Sequence, residues 1–177
     1  LDRDAREHTL VVYGFSKAYA MTGWRLGFVA GPRTVIDAID KFQTQGTNNP
    51  TSFVQKAAVV AIASSDDLFA PMIEEFQRRR DFMVNEFNMM EGVSCFVPHG
   101  AFYAFPNVGG LLERTAPSGP IESSAKLCEY LLENGKIAAV PGSAFGTEGY
   151  IRFSYATSME NIRNGMARMS EAISKLN

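Results

Sequence analysis

The apolar pattern of this chain predicts a mixed α/β and α+β fold whose character changes near the middle. Three observations carry that reading. Two short apolar or β-branched runs open the chain, and an amphipathic stretch too long for a strand occupies residues 66–90. After it, strand-like and helical runs alternate to the end. The corresponding partition is residues 1–65 with two strands and two helices, 66–92 as a long helix, and 93–177 as an α+β unit.

Taken in order, Thr9-Leu10-Val11-Val12-Tyr13 reads as a buried strand, because β-branched and aromatic side chains suit a covered pleated surface. A second strand is expected over 25–30, stopped by Gly31-Pro32. Residues 34–45 and 51–63 read as helices, with Thr51 placed to cap the second after the Asn48-Asn49-Pro50 turn. From Asp66 onward Phe69, Ile73, Phe76, Met83, Phe87 and Met90 keep one face apolar, which predicts a helix bridging two domains and ended by Gly92. Strands follow at 93–97, 101–105, 137–140 and 151–155, with a helix at 121–132 that Gly135 should stop. Ser158 begins a closing amphipathic helix through Ile162, Met166, Met169, Ile173 and Leu176. Methionines at that spacing belong to core packing rather than to a soft-metal surface.

Residues 13–31 concentrate the chemistry. Lys17 follows the first expected strand, and Arg25 begins the second. A lysine amine condenses with a carbonyl, and it becomes a useful nucleophile once desolvation or a neighbouring cation disfavours its charge. A planar guanidinium holds a phosphate through two parallel hydrogen bonds, which an ammonium cannot copy. An aldehyde cofactor carrying a phosphate needs both groups, and pyridoxal phosphate is the common cofactor of that description.

The run Ser16-Lys17-Ala18-Tyr19-Ala20-Met21-Thr22-Gly23-Trp24-Arg25-Leu26-Gly27 resembles the cofactor-lysine signature of the class I aminotransferases, the aspartate aminotransferase-like group of fold type I pyridoxal-phosphate enzymes. Two later segments are similar to that family's small-domain motifs and occur in the family's order. They are Pro98-His99-Gly100-Ala101-Phe102-Tyr103-Ala104-Phe105-Pro106, and Val140-Pro141-Gly142-Ser143-Ala144-Phe145-Gly146 followed by Tyr150-Ile151-Arg152-Phe153-Ser154-Tyr155-Ala156. The resemblance covers nearly the whole chain. It implies the C-terminal portion of that fold: the end of the large-domain sheet, a long connecting helix and the small α+β domain.

For the site, the resemblance implies that Lys17 is the catalytic residue, bound to pyridoxal 5′-phosphate and carrying the proton between the substrate α-carbon and the cofactor C4′. Arg25 would hold the cofactor phosphate, and Arg152 would grip the α-carboxylate of the amino acid. Many relatives carry a phosphate-binding hydroxyl where this chain has Gly14, which leaves Ser16 as the nearby hydroxyl to substitute. Asn48, with Thr47, would approach the phosphate of a neighbouring subunit, so that a homodimer completes each site. Read from the residues alone, Gly46-Thr47-Asn48-Asn49-Pro50 is an Asx-type turn leading into a helix, and both readings stand. Animal-type relatives specific for dicarboxylates carry a second arginine at the position of Thr44, so that means of recognising a side-chain carboxylate is not supplied here.

In the family, a glycine-rich phosphate turn, an aspartate facing the pyridine nitrogen and contacts to the ring hydroxyl precede the lysine. None is found before Lys17, so the chain is expected to be part of a longer enzyme or the product of a truncated gene, and inactive by itself. Transamination between an amino acid and a 2-oxo acid is the first expectation. Lyase or decarboxylase chemistry on the same cofactor, and a non-catalytic aminotransferase-like sensor domain of a transcription regulator, are the alternatives, since a fold does not choose the bond that breaks. Met21-Thr22-Gly23-Trp24-Arg25 favours the transaminase over the regulator.

Composition narrows the partners. Hydrophobic residues make up 46% of the chain and charged ones 20%, an ordinary folded composition. With 17 basic against 19 acidic residues and no basic stripe, nucleic acid is not expected as a partner. Arg78-Arg79-Arg80, set between Glu74-Glu75 and Asp81, reads as a salt-bridged solvated helix face. Cys95 and Cys128, with His8 and His99 as the histidines, lack metal-ligand spacing and are expected to remain thiols, with no metal site. No membrane span or secretory leader is legible, and a cytoplasmic protein is expected.

Overall fold

In the computed structural model, which describes residues 3–177, a short helix α1 (Arg3–Glu7) leads into β1 (Val11–Gly14), which pairs antiparallel with β2 (Gly27–Ala30). Val11 stands opposite Ala30 and Gly14 opposite Gly27, and the Phe15 N–H donates to the Leu26 carbonyl at 3.1 Å, adding one rung to the ladder. The loop closed by that rung holds the single helical turn α2 (Phe15–Ala18) and a 3-10 turn over Thr22–Trp24. Two helices follow, α3 (Arg33–Gly46) and α4 (Ser52–Ala63). The buried centre of this half is Phe15, Met21 and Ala58, with Tyr19, Leu26, Ala57 and Ala61 against them, so the loop is seated on α4.

Two expectations change here. The first strand is not buried: Val12 is 80% exposed and Phe28 on β2 is 46% exposed. Among the described residues no third strand joins the pair, and a two-stranded ribbon has too little area to bury its own side chains. Thr51 does sit at the N-cap position of α4, but its side chain makes no capping bond. Gln55 Nε2 instead donates to the Pro50 carbonyl at 2.7 Å and fastens the turn.

The chain divides into two compact units, Leu1–Ala70 and Pro71–Asn177. The long helix α5 (Ala70–Met89) therefore belongs with the second unit, where the sequence pattern set it apart. Met83, Val84 and Phe87 are its buried face, which explains why the apolar spacing held over several turns. Its polar face carries the expected ion pairs: Glu75 accepts from Arg78 and from Arg79 Nε at 2.7 Å, and Arg80 pairs with Asp81 at 2.8 Å.

The rest of the second unit comprises β3 (Tyr103–Ala104), β4 (Thr115–Ala116), β5 (Gly119–Pro120), α6 (Ser124–Gly135), β6 (Val140–Pro141), β7 (Ile151–Ser154) and α7 (Met159–Ile173). Its three-stranded antiparallel sheet has the order β3-β7-β6, with Tyr103 opposite Ser154 and Val140 opposite Arg152. The strand expected over 93–97 reduces to one bridge between Ser94 and Asn107, and the β4-β5 hairpin was not foreseen. Ser158 caps α7 as expected, accepting from the Asn161 N–H at 3.1 Å. Gly135 does not stop α6; it is the last helical residue, and Lys136 takes the left-handed conformation. Glycine at 135 packs closely, since a Cβ there would meet Ile137 Cδ1 at 3.0 Å and that side chain would have to give by a few tenths of an ångström. Phe87, Leu111, Leu127, Leu131, Ile151 and Met169 form the fully buried core.

Among the described residues, no helix is long and apolar enough to cross a membrane. Both cysteines are free, Cys95 buried and Cys128 half-buried. Burial raises both thiols, and for Cys128, with the Glu148 charge adding to burial, the value is pushed up to about 11. At about pH 8 only on the order of one Cys128 in a thousand is then a thiolate, against roughly a quarter for an ordinary thiol. Alkylation of the folded chain by iodoacetamide is expected to be at least about tenfold slower than in denaturant. Equal rates in the two conditions would contradict the burial of both thiols.

Candidate active site

The hairpin β1-β2 decides where Lys17 and Arg25 stand. Because Gly14 pairs with Gly27 and Phe15 bonds to Leu26, the residues just beyond this rung leave the strands side by side at one end of the ribbon. Lys17 lies on the outgoing stem, in α2, and Arg25 on the returning stem, as the residue after the 3-10 turn. The loop between them is tied down by apolar anchors at both ends of Ser16–Ala20. Phe15 and Met21 are buried, and the Met21 N–H donates to the Phe15 carbonyl at 3.3 Å. The Phe15 ring packs against Tyr19 at 5.2 Å and Phe28 at 6.1 Å between centroids. Lys17 is thus an exposed residue on a turn whose flanks are fixed, and Ser16 is half-buried beside it in the same turn.

Arg25 adopts the left-handed backbone conformation, with φ 53°, as does Ala20. Such angles are uncommon outside glycine and asparagine, cost about 1–3 kcal/mol, and gather at ligand-binding sites. Arg25 Nη1 donates to the Thr22 carbonyl at 3.2 Å, which orients the guanidinium across its own loop while most of its N–H groups point elsewhere. An amine and a guanidinium at the two stems of one loop suit a ligand bearing both an aldehyde and a phosphate.

Asn48 lies on a different loop. It also has a positive φ, 59°, and its N–H donates to the Gln43 carbonyl at 3.0 Å, so it terminates α3. Gln43 Nε2 reaches both Thr47 Oγ1 and the Asn48 carbonyl, fixing the turn from inside.

Arg152 is on β7, the middle strand of the sheet in the second unit. Its guanidinium carbon lies 4.4 Å from the ring centroid of Tyr103 and 4.4 Å from that of Phe145. Stacked cations of this kind gain about 0.5–2 kcal/mol and, more usefully, lose their freedom to tilt. Among the described residues no carboxylate pairs with Arg152, so the strand-edge ion pair that a surface arginine would make is not found. The aromatic clamp is the part of the site that the sequence motifs did not reveal, although both rings lie inside the quoted segments. Tyr103 becomes a neighbour of Arg152 only through the β3-β7 register.

Phe145 ends a 3-10 turn, Gly142–Phe145, closed by Gly146 at φ 74°. Gly142 is gripped on both sides: its N–H donates to the Tyr150 carbonyl at 2.7 Å, and its carbonyl accepts from the Thr147 N–H at 3.0 Å. A Cβ there would lie 2.1 Å from the Thr147 oxygen and 2.5 Å from the Tyr150 oxygen. Gly142→Ala is therefore expected to destabilise the chain by about 1–3 kcal/mol in chemical denaturation, because backbone rather than a flexible side chain must move. An unchanged denaturation midpoint would mean that the turn is looser than its hydrogen bonds indicate.

The family model for aminotransferase class I and II matches residues 2–169. An aspartate aminotransferase of Rhizobium meliloti is 46% identical over 177 residues, a match that takes in 99% of this chain and 43% of the relative. An aspartate/prephenate aminotransferase of Nitrosomonas europaea is 43% identical, over 97% of this chain and 44% of the relative. The crystal structure of the aspartate aminotransferase from Rhizobium meliloti superposes with a TM-score of 0.94 at 45% identity, covering 97% of this chain and 43% of that one. An aromatic aminotransferase from Pyrococcus horikoshii gives 0.85 at 40% identity, over 98% and 45%. These neighbours are fold type I aminotransferases, and the chain spans less than half the length of the curated relatives it matches. With the lysine hairpin, the clamped arginine and the sheet that holds it all falling within one matched stretch, the chain belongs to the class I and II aminotransferases.

Proposed function

We propose that residues 1–177 supply the cofactor-anchoring and substrate-carboxylate-binding part of a pyridoxal 5′-phosphate-dependent aminotransferase, which moves an amino group between an amino acid and a 2-oxo acid. The observation that carries the reading is the placement of Lys17 and Arg25 on the two stems of one closed hairpin loop. Bound there, the cofactor supplies an electron sink for the bond broken at the substrate α-carbon. Lys17 Nζ anchors the aldehyde carbon and takes the proton from the substrate α-carbon. Arg25 neutralises the phosphate, with Ser16 as an adjacent hydroxyl donor. Arg152 orients the substrate by its α-carboxylate, in a plane set by Tyr103 and Phe145.

The names of the relatives support a dicarboxylic amino donor. With threonine at position 44, a grip on the second carboxylate has to come from some other group. Asn48, by ending α3 in a fixed turn, is held in a shape able to meet the cofactor phosphate of a second subunit, and a homodimer is part of the proposal. A cytoplasmic setting agrees with two free thiols. The long helix as the connection between a large and a small domain belongs to the same reading.

The longest polypeptide encoded with these residues should be loaded with pyridoxal phosphate, reduced with borohydride and mapped by peptide mass. The label is expected on Lys17. Recovery on another lysine would refute the assignment.

A further inference from the structure

We infer that Glu148 is a positioning residue for Arg152, acting through the turn that carries Phe145. The inference rests on Arg152 as the group that binds the substrate carboxylate. Glu148 Oε1 accepts from the Ser124 N–H, the first residue of α6, at 2.5 Å. Ser124 is fully buried, and its hydroxyl accepts from the Ser143 N–H at 3.4 Å and lies 3.5 Å from Ser143 Oγ. Ser143 precedes Phe145 on the same 3-10 turn, and Glu148 follows it. The turn is therefore fastened to one helix end at two points, before and after the aromatic ring.

The helix end suits this work. Its first N–H groups have no carbonyl partner within the helix, and an ionised carboxylate there is favoured by the aligned peptide dipoles. Ser123 takes up the Lys126 N–H at 3.2 Å, and Glu148 takes up that of Ser124. The Ser124 N–H above all, with the Ser124 hydroxyl and the Gly149 N–H, holds the Glu148 carboxyl below the usual carboxylate range. Gly146 and Gly149 flank Glu148 at positive φ, which glycine adopts readily, and the tether adds side-chain bonds to the turn's own backbone ones. With the turn held, the Phe145 ring meets Phe105 edge-on at 6.0 Å and stays within 4.4 Å of the Arg152 guanidinium carbon, as Tyr103 does.

The test has a spectroscopic arm and a kinetic one. In nuclear magnetic resonance spectra of the 177-residue chain, the Arg152 side-chain signals should be displaced by the ring currents of its two aromatic neighbours. Phe145→Leu should remove part of that displacement. Glu148→Ala should remove the same part, and Glu148→Gln, which keeps an oxygen acceptor, should restore it. If Glu148→Ala leaves the Arg152 signals in place while Phe145→Leu moves them, the inference is overturned. If Glu148→Ala fails to fold, Glu148→Asp, which keeps the charge but shortens the reach to the Ser124 N–H, is read in the same way. In the longest encoded polypeptide, Glu148→Ala should raise KM for the amino acid by roughly two- to thirtyfold, the range for a residue that acts on a site through intervening groups. Cofactor affinity should be unchanged. In an Arg152→Lys background the further rise should vanish, and a full additive effect would overturn the inference. If Arg152→Lys by itself leaves KM unchanged, the reading of Arg152 fails, while the spectroscopic arm still decides whether Glu148 fixes the guanidinium.

Discussion

Lys17→Ala is expected to lower transamination by at least about a thousandfold in the longest encoded polypeptide, with the protein still folded. One side chain is asked for two tasks, anchoring the aldehyde carbon and moving the α-proton, and general acid-base catalysis by itself contributes about 10²–10⁴-fold. The fold should survive because Lys17 is an exposed residue, and the loop that carries it is seated by the buried anchors Phe15 and Met21 on either side. Single-turnover rates and the thermal midpoint, measured together, separate the two effects. Full activity of the alanine variant would require a different lysine and would dissolve the reading of the hairpin.

Arg152→Lys and Arg25→Lys should have opposite consequences. A charged bidentate pair is worth about 1.5–3 kcal/mol, and a lysine keeps the charge but loses the fork. KM for the amino acid should rise roughly ten- to a hundredfold in Arg152→Lys with little change in cofactor dissociation. Arg152 also loses its aromatic stacking in this exchange, since an ammonium presents no plane to Tyr103 and Phe145. Arg25→Lys should release the cofactor more readily and disturb substrate binding less. It also places another side chain in a left-handed backbone position whose value is in aiming the guanidinium. Equal effects of both substitutions on both ligands would show that the roles are divided wrongly.

The helices were legible because burial on one face imposes a period that a single chain displays, as Met83, Val84 and Phe87 on α5 illustrate. Lys17 and Arg25 stood out for a different reason: both lie in the Ser16–Gly27 run that resembles the family's cofactor-lysine signature, and the structure sets them on the two stems of one loop. What escaped the sequence depends on pairing between distant segments. Residues 93–97 look like a strand, yet only Ser94 finds a partner, in Asn107. The two-residue strands of β4 and β5 are too short to leave a pattern. Val12 looks like a core residue and stands open, because burial depends on what the rest of the fold lays over it. The clamp on Arg152 needs the β3-β7 register and the course of the turn at Phe145, and neither is encoded in local spacing.

The crowding of the Thr147 and Tyr150 carbonyl oxygens around Gly142 has an evolutionary side. Among the twenty coded amino acids only glycine lacks a side-chain carbon, so no base change that alters the residue leads to a neutral neighbour. A lineage exploring new amino donors would find this position closed to drift. The neighbouring Ala144 and Thr147 are exposed, and their side chains leave the turn's backbone bonds intact. Divergence in how these enzymes present Arg152 should therefore accumulate at the rim of the turn, around a fixed glycine.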